Sequence, residues 1–380
     1  MKGKKMKICV GVLLVASMLV ISTGAVMLNE AKKAQVKLPY SEFKPVGKAN
    51  FHIEKDICKE RHTVDNILRP KLIGALGEDV QVTGLETDDL HPAIANDNSG
   101  NLLIGFEADM HGDGEYNVWF TSSPDGGVTW AEDAVAWQLP EPPEKPDVDY
   151  WGESTRFVGT MVPNPFDNDG STLYVLNCSN PADFEEGYSL LGWPWANVGD
   201  GYYNFIDVRI AGDNGADPWS WGCTSMIGDH GSGLTQTPFF SYQFQEDGYA
   251  WIYRWSTGGD EWTMEYGDST SVDIDPITHM AYPVWTYKNP DTGVLDILFS
   301  KFDFSTWEPY DQYQVHPEVG GGFINTTGND KNIDISAYND NVIKVSQTDE
   351  NGNQDITCYF STDGMVTYGT TKIASSADDE

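Results

Sequence analysis

The stretch YWGESTRF, residues 150–157, sets Tyr150, Glu153 and Arg156 within one short span, with Asp149 just ahead of it. A ring, a carboxylate and a guanidinium so grouped can stack on a sugar, accept from its hydroxyls and donate to its oxygens. Glycosidic bond cleavage asks for little more than two carboxylates flanking the bond. Asp88, Asp89, Asp149, Glu153, Asp273, Asp275 and Asp334 all fall in stretches that read as strands. The chain carries 58 acidic side chains, however, so residue type alone does not separate a reacting pair from solvated surface.

Other groups could hold ligands. GWPWANVGDGYYN, residues 192–204, reads as a long loop presenting Trp193, Trp195, Tyr202 and Tyr203, suited to stacking on sugars or gripping a protein. The turns DNDG (Asp167, Asp169) and DENGNQD (Asp349, Asn351, Asn353, Asp355) offer hard oxygens that suit calcium. Neither follows an EF-hand loop, and Asp and Asn are also ordinary hairpin residues. No Cys-x-x-Cys, P-loop, Gly-x-Ser-x-Gly or dinucleotide fingerprint is present.

The elements that must position these groups are strands. Runs such as NLLIGFEAD, YNVWFTSS, STLYVLNCS, YNFIDVRIAG, YAWIYRWS and NVIKVSQTD are short, rich in Val, Ile and aromatics, and separated by Gly, Asn and Asp. That pattern predicts an all-β body from about residue 51 onward. It also repeats. SPDGGVTW at 123–130 is matched by STDGMVTY at 361–368 and, more faintly, by SKFDFSTW at 300–307. Strand landmarks shift by the same steps as the turns: Asp97 precedes Asp275 by 178 residues, and His279 precedes Asn341 by 62. A unit of roughly 60 residues holding four short strands is a propeller blade.

The pattern Ser-x-Asp-x-Gly-x-Thr-Trp, complete at Ser123, Asp125, Gly127, Thr129 and Trp130 and partial at Ser361, Asp363 and Thr367, resembles the Asp-box, or BNR repeat. Over roughly residues 85–375 the chain is similar to the sialidase-like β-propellers. The resemblance implies four-stranded blades, six in number with five as the alternative, and a box that joins the third and fourth strands at the rim. First strands are expected near residues 91, 153, 237, 270 and 332. It further implies three arginines clamping a substrate carboxylate, a Tyr/Glu nucleophile pair and an Asp acid/base. Five arginines are present (Arg61, Arg69, Arg156, Arg209, Arg254), and the first blade reads DDLHPAIAND where that family usually places Arg-Ile-Pro. The catalytic candidates are Arg156, Glu153, Asp149, Tyr150, Arg209 and Arg254.

Four lysines followed by the apolar run 8–28 mark a secretory signal, cleaved or retained as a membrane anchor. Residues 29–50 read as a linker and 51–380 as the propeller domain. Beyond residue 28 the chain has 19 basic against 58 acidic side chains, which excludes nucleic acid as a partner. In an exported body, Cys58, Cys178, Cys223 and Cys358 could form two disulfides, with Cys178–Cys223 and Cys58–Cys358 the preferred pairs. The expectation is an extracellular or surface-held, non-catalytic propeller that binds glycans or a surface protein. A sialidase-like glycoside hydrolase is the alternative. Calcium is the one cofactor expected, and membrane contact is limited to an uncleaved N-terminus.

Overall fold

The computed structural model describes residues 44–48, 59–63, 82 and, with gaps in the connecting loops, 89–374; between 151 and 206 it describes strand backbone only. All regular structure there is antiparallel β. Two short strands come first, β1 (Lys44–Lys48) and β2 (Lys59–Thr63). The first sheet is β3 (Leu90–Asn96), β4 (Leu102–Ala108), β5 (Asn117–Ser123) and β6 (Asp133–Trp137), with β2 added outside β6. The second is β7 (Glu144–Trp151), β8 (Thr155–Pro163), β9 (Ser171–Cys178) and β10 (Tyr188–Gly192). The third is β11 (Tyr203–Gly212), β12 (Trp221–His230), β13 (Gln236–Phe244) and β14 (Ala250–Arg254), with β1 outside β14. The fourth is β15 (Tyr266–Asp275), β16 (Met280–Lys288) and β17 (Leu295–Asp303), then a small ribbon of β18 (Pro309–Tyr310) and β19 (Tyr313–Gln314), then β20 (Glu318–Ile324). The fifth is β21 (Asn329–Tyr338), β22 (Asn341–Glu350), β23 (Asn353–Ser361) and β24 (Gly369–Ala374).

Each sheet is a meander. First strands of successive sheets pack together, β3 on β7, β7 on β11, β11 on β15 and β15 on β21. The described residues thus hold five sheets of propeller type, against the six favoured from sequence. Residues 59–63 thicken the first sheet instead of founding another, and residues 44–48, read as linker, do the same for the third. Two first strands lie elsewhere than the sequence pattern predicts. Residue 153 falls after β7, and residue 237 lies in β13, a third strand. Inner and outer strands share the same two-residue period, so periodicity does not tell one from the other.

Packing between sheets explains the sequence pattern. In β21 the alternation is strict from Ile333 to Ala337, with Ile333, Ile335 and Ala337 buried and Asp334 and Ser336 exposed. Those apolar side chains meet Tyr282, Val284, Ile297 and Phe299 of the fourth sheet. Phe240 of the third sheet stacks on Phe302 of the fourth, ring centres 4.4 Å apart. Middle strands such as β16 are covered on both faces and read as nearly continuous apolar runs.

The repeated turn is a closed hydrogen-bond clip. Ser123 Oγ donates to Asp125 Oδ1 (3.0 Å) and accepts from the Gly127 N–H (2.8 Å). Asp125 accepts from the Thr129 N–H and the Thr129 hydroxyl, each at 2.7 Å. Ser361, Asp363, Met365 and Thr367 make the same bonds within 0.1–0.2 Å. Each clip also docks on the first hairpin of its own sheet, through Gly126 N–H to Gly100 O and Gly364 N–H to Asp340 O. The Trp130 ring lies over Gly127. In the third, faint copy Asp303 instead accepts from Ser305, and Ser300 is fully buried.

Cys223 and Cys358 are buried free thiols, so neither expected disulfide forms. Both sit on interior strands, β12 and β23, where they pack as small apolar side chains. Cys58 lies outside the described residues, as does the Cys178 side chain.

Candidate active site in the channel

A first strand has a neighbour on one side only, so its outer row of backbone N–H groups needs other acceptors. Aspartates of the preceding sheet supply them. Asp147 Oδ2 accepts from Ile210 N–H at 2.8 Å, and Asp149 Oδ2 from Gly212 N–H at 2.7 Å. Asp207 Oδ2 accepts from Thr270 N–H at 2.9 Å, and Asp273 Oδ2 from Ala337 N–H at 2.7 Å. Asp275 takes both Asn339 N–H and Asp340 N–H. The partners are 63 to 65 residues apart throughout, which is the length of one sheet with its connections. Glu107 closes the first junction by accepting from Lys145 N–H and pairing with His91.

These clasps line the first strands with carboxylates. Asp147, Asp149, Asp207 and Asp273 are half-buried, while Asp334, which bonds Ser271 Oγ at 3.0 Å, is exposed. Arg209 stands among them with 44% of its side chain exposed, its Nε 3.8 Å from Asp207 Oδ1.

Partial burial and crowding of like charges raise the proton affinity of a carboxylate. Burial lifts Asp147 to about 6, against the pull of Arg209 and with the repulsion of Asp334. Burial also lifts Asp273 to about 7, helped by Asp334 and opposed by the Ala337 and Ile274 N–H groups. Asp149 is pushed well above the carboxylate range by burial and then by Asp273 and Asp147, against two backbone N–H bonds. Asp207 is raised by burial, with Arg209 opposing. Groups that titrate near neutrality are able to exchange protons with a substrate.

Of the residues singled out from sequence, Asp149, Arg209, Asp273 and Asp334 come together here. Asp275 is fully buried and caps turns, and Tyr150 is buried on the face opposite Asp149. Arg156 lies on a second strand, opposite Tyr150, and Arg254 on the fourth strand of its sheet; their side chains, like Glu153, Trp193, Trp195, Tyr202 and the Tyr203 side chain, lie outside the described residues. Asp167, Asp169 and Asn351 do also. Asp355, offered as a calcium ligand, bonds Lys372 Nζ at 2.6 Å, and Asp349 lies in β22. No group of three or more His, Cys, Asp or Glu is arranged for a metal ion among the described residues.

The sequence reading missed Asp147 and Asp207. A signal existed, since the pair Asp147/Asp149 recurs as Asp273/Asp275 after 126 residues, two sheet lengths.

No family model and no curated protein matches the sequence. Solved structures of similar shape include the Penicillium chrysogenum alpha-L-arabinanase complexed with arabinobiose, at 10% identity and TM-score 0.40 over 75% of this chain and 93% of that one. Another is the endo-arabinase of Bacteroides thetaiotaomicron, at 11% identity and TM-score 0.35 over 77% of this chain and 96% of that one. A family 117 glycoside hydrolase from Zobellia galactanivorans aligns at 11% identity and TM-score 0.35 over 89% of this chain and 77% of that one. These names are those of glycoside hydrolases, not of non-catalytic binders, and the expectation of a non-catalytic binding propeller is withdrawn. A likeness of this degree bears on neither substrate nor residue roles, which rest on the channel itself.

Proposed function

We propose that the protein is an exported glycoside hydrolase, a five-bladed propeller with Asp-box turns that works in its axial channel. The observation that supports this reading is the carboxylate group on the first strands, two members of which, Asp147 and Asp273, titrate near 6 and 7. Hydrolysis of a glycosidic bond needs one carboxyl group that holds a proton and another that has lost it. In the window between these values Asp273 is the better proton donor to the leaving oxygen. Asp147, beside Arg209, is the better anion, serving the anomeric carbon either directly or through a water. Asp149, which keeps its proton, adds a donor to sugar oxygens, Asp207 adds an acceptor, and Arg209 adds further donors. The acidic surface and the basic-apolar N-terminus fit work outside the cell on a glycan.

The test is release of reducing ends from a panel of neutral and uronate polysaccharides and aryl glycosides by the full chain. Turnover abolished in both Asp147→Asn and Asp273→Asn, with the fold intact by circular dichroism, is the expected result. Undiminished turnover in both variants would overturn the reading.

A further inference from the structure

Arg209 has no part in a substrate-carboxylate clamp of the kind three converging arginines would make, because the groups it faces are the protein's own acids. On its own strand, β11, it has Asp207 two residues back, on the same face. From β7 the Asp147 carboxylate is fixed to the N–H of the peptide bond that follows Arg209. Asp334 of β21 acts on it electrostatically. Other ionisable groups on the neighbouring strands are Asp149 and Lys145 of β7, Asp273 of β15 and the buried Cys223 of β12. Of these, Lys145 acts on Asp207, while Cys223 sits beside Asp149 and Asp273. The field of Arg209 bears mainly on Asp147, Asp207 and Asp334, and Asp273 is held by burial and by its own backbone bonds.

We infer that Arg209 is a positioning residue that divides the labour of the channel, keeping Asp147 as the anion and leaving Asp273 to carry the proton. The inference rests on the hydrolase reading above. Two carboxyl groups in near-equivalent places on the first strands of the second and fourth sheets would otherwise titrate alike, and neither role would be assigned. A guanidinium that cannot lose its charge, carried by the residue just before the N–H that Asp147 clasps, acts on Asp147 and breaks that symmetry. A second consequence concerns substrate. With its charge already answered by three acids, Arg209 has no attraction left for an anionic sugar, so the channel takes uncharged residues and rejects uronates.

The experiment compares wild type, Arg209→Met and Arg209→Lys by two readouts. The first is the pH profile of kcat/KM on the best neutral substrate. In Arg209→Met the acid limb moves up by about one unit, lowering kcat/KM at pH 5 about tenfold, while the alkaline limb stays. Arg209→Lys recovers part of the shift. The second is carboxyl carbon NMR of the Asp147 titration, assigned with Asp147→Asn, which needs no turnover. A uniform fall in rate with both limbs unmoved, or an unchanged Asp147 midpoint, would overturn the role of Arg209. If the wild type hydrolyses no glycan, the hydrolase reading fails, and the NMR titration alone decides whether Arg209 holds Asp147.

Discussion

Met365 occupies in the last clip the place that Gly127 holds in the first, and both have positive φ, +66° and +90°. Each gives its N–H to the clip serine, Ser361 or Ser123. An L side chain in that region costs about 1–2 kcal/mol. Met365 bears this because its side chain is 5% exposed and packs in the cluster formed by the fourth and fifth sheets.

Two effects therefore oppose each other in Met365→Gly. Strain is relieved, but a core side chain is removed, and truncating a buried methionine costs about 2–5 kcal/mol. Packing wins, and the variant is expected to be less stable by about 1–3 kcal/mol in urea denaturation. A gain in stability would show that the turn, not the core contact, dominates at this position.

The channel aspartates are clasps as well as candidate reactants, and substitution can separate the two. Asp273→Ala leaves the Ala337 N–H without its 2.7 Å acceptor, a loss of about 1–3 kcal/mol. Asp273→Asn keeps an oxygen for that N–H and removes the acid. Thermal melts should show the alanine variant clearly below the asparagine variant, while both lose turnover. Equal melting temperatures would mean that the clasp contributes little to the junction between the fourth and fifth sheets.

The sequence made the strands and the clips legible, because both are local. A two-residue period and a serine-aspartate-threonine turn are written within eight residues. The channel was legible only in part. Asp149, Arg209, Asp273 and Asp334 were singled out, yet Asp147 and Asp207 were not, since each clasp ends on a backbone N–H one sheet away. Ile210, Thr270 and Ala337 receive the carboxylates through atoms that every residue but proline carries, so their identities reveal nothing. The cysteines misled for a related reason: export and an even count fit disulfides, but they do not say which positions face one another.

Thiol chemistry checks that correction. Burial raises the Cys223 thiol well above its ordinary range, and the neighbouring Asp273, Asp149 and Asp213 raise it further. Burial raises Cys358 too, with Lys344 opposing. Neither should react with iodoacetamide at pH 8 in the native protein, and both should react once it is unfolded. Intact mass without reductant should show neither thiol oxidised. A disulfide at either position would contradict the packing described for β12 and β23.

Lys344 gives the last prediction. Its side chain is fully buried in β22, with Nζ 3.9 Å from the centre of the Tyr359 ring and no hydrogen-bond partner. Burial lowers it from 10.5 to about 7, despite Asp330 and Cys358, which favour the charge. The unfolded chain holds this proton up to about pH 10.5, whereas the folded chain releases it near 7, so between those values unfolding takes up a proton. Stability therefore rises with pH across that window, and the contribution is lost as pH falls through 7. Lys344→Met fills the same space without a charge to desolvate. It should be more stable than wild type at pH 7, and the gap should narrow by pH 9, measured as the difference in urea midpoints so that other titrating groups cancel. A gap independent of pH would mean that the amine keeps its proton inside the fold, held by Asp330 and the Tyr359 ring.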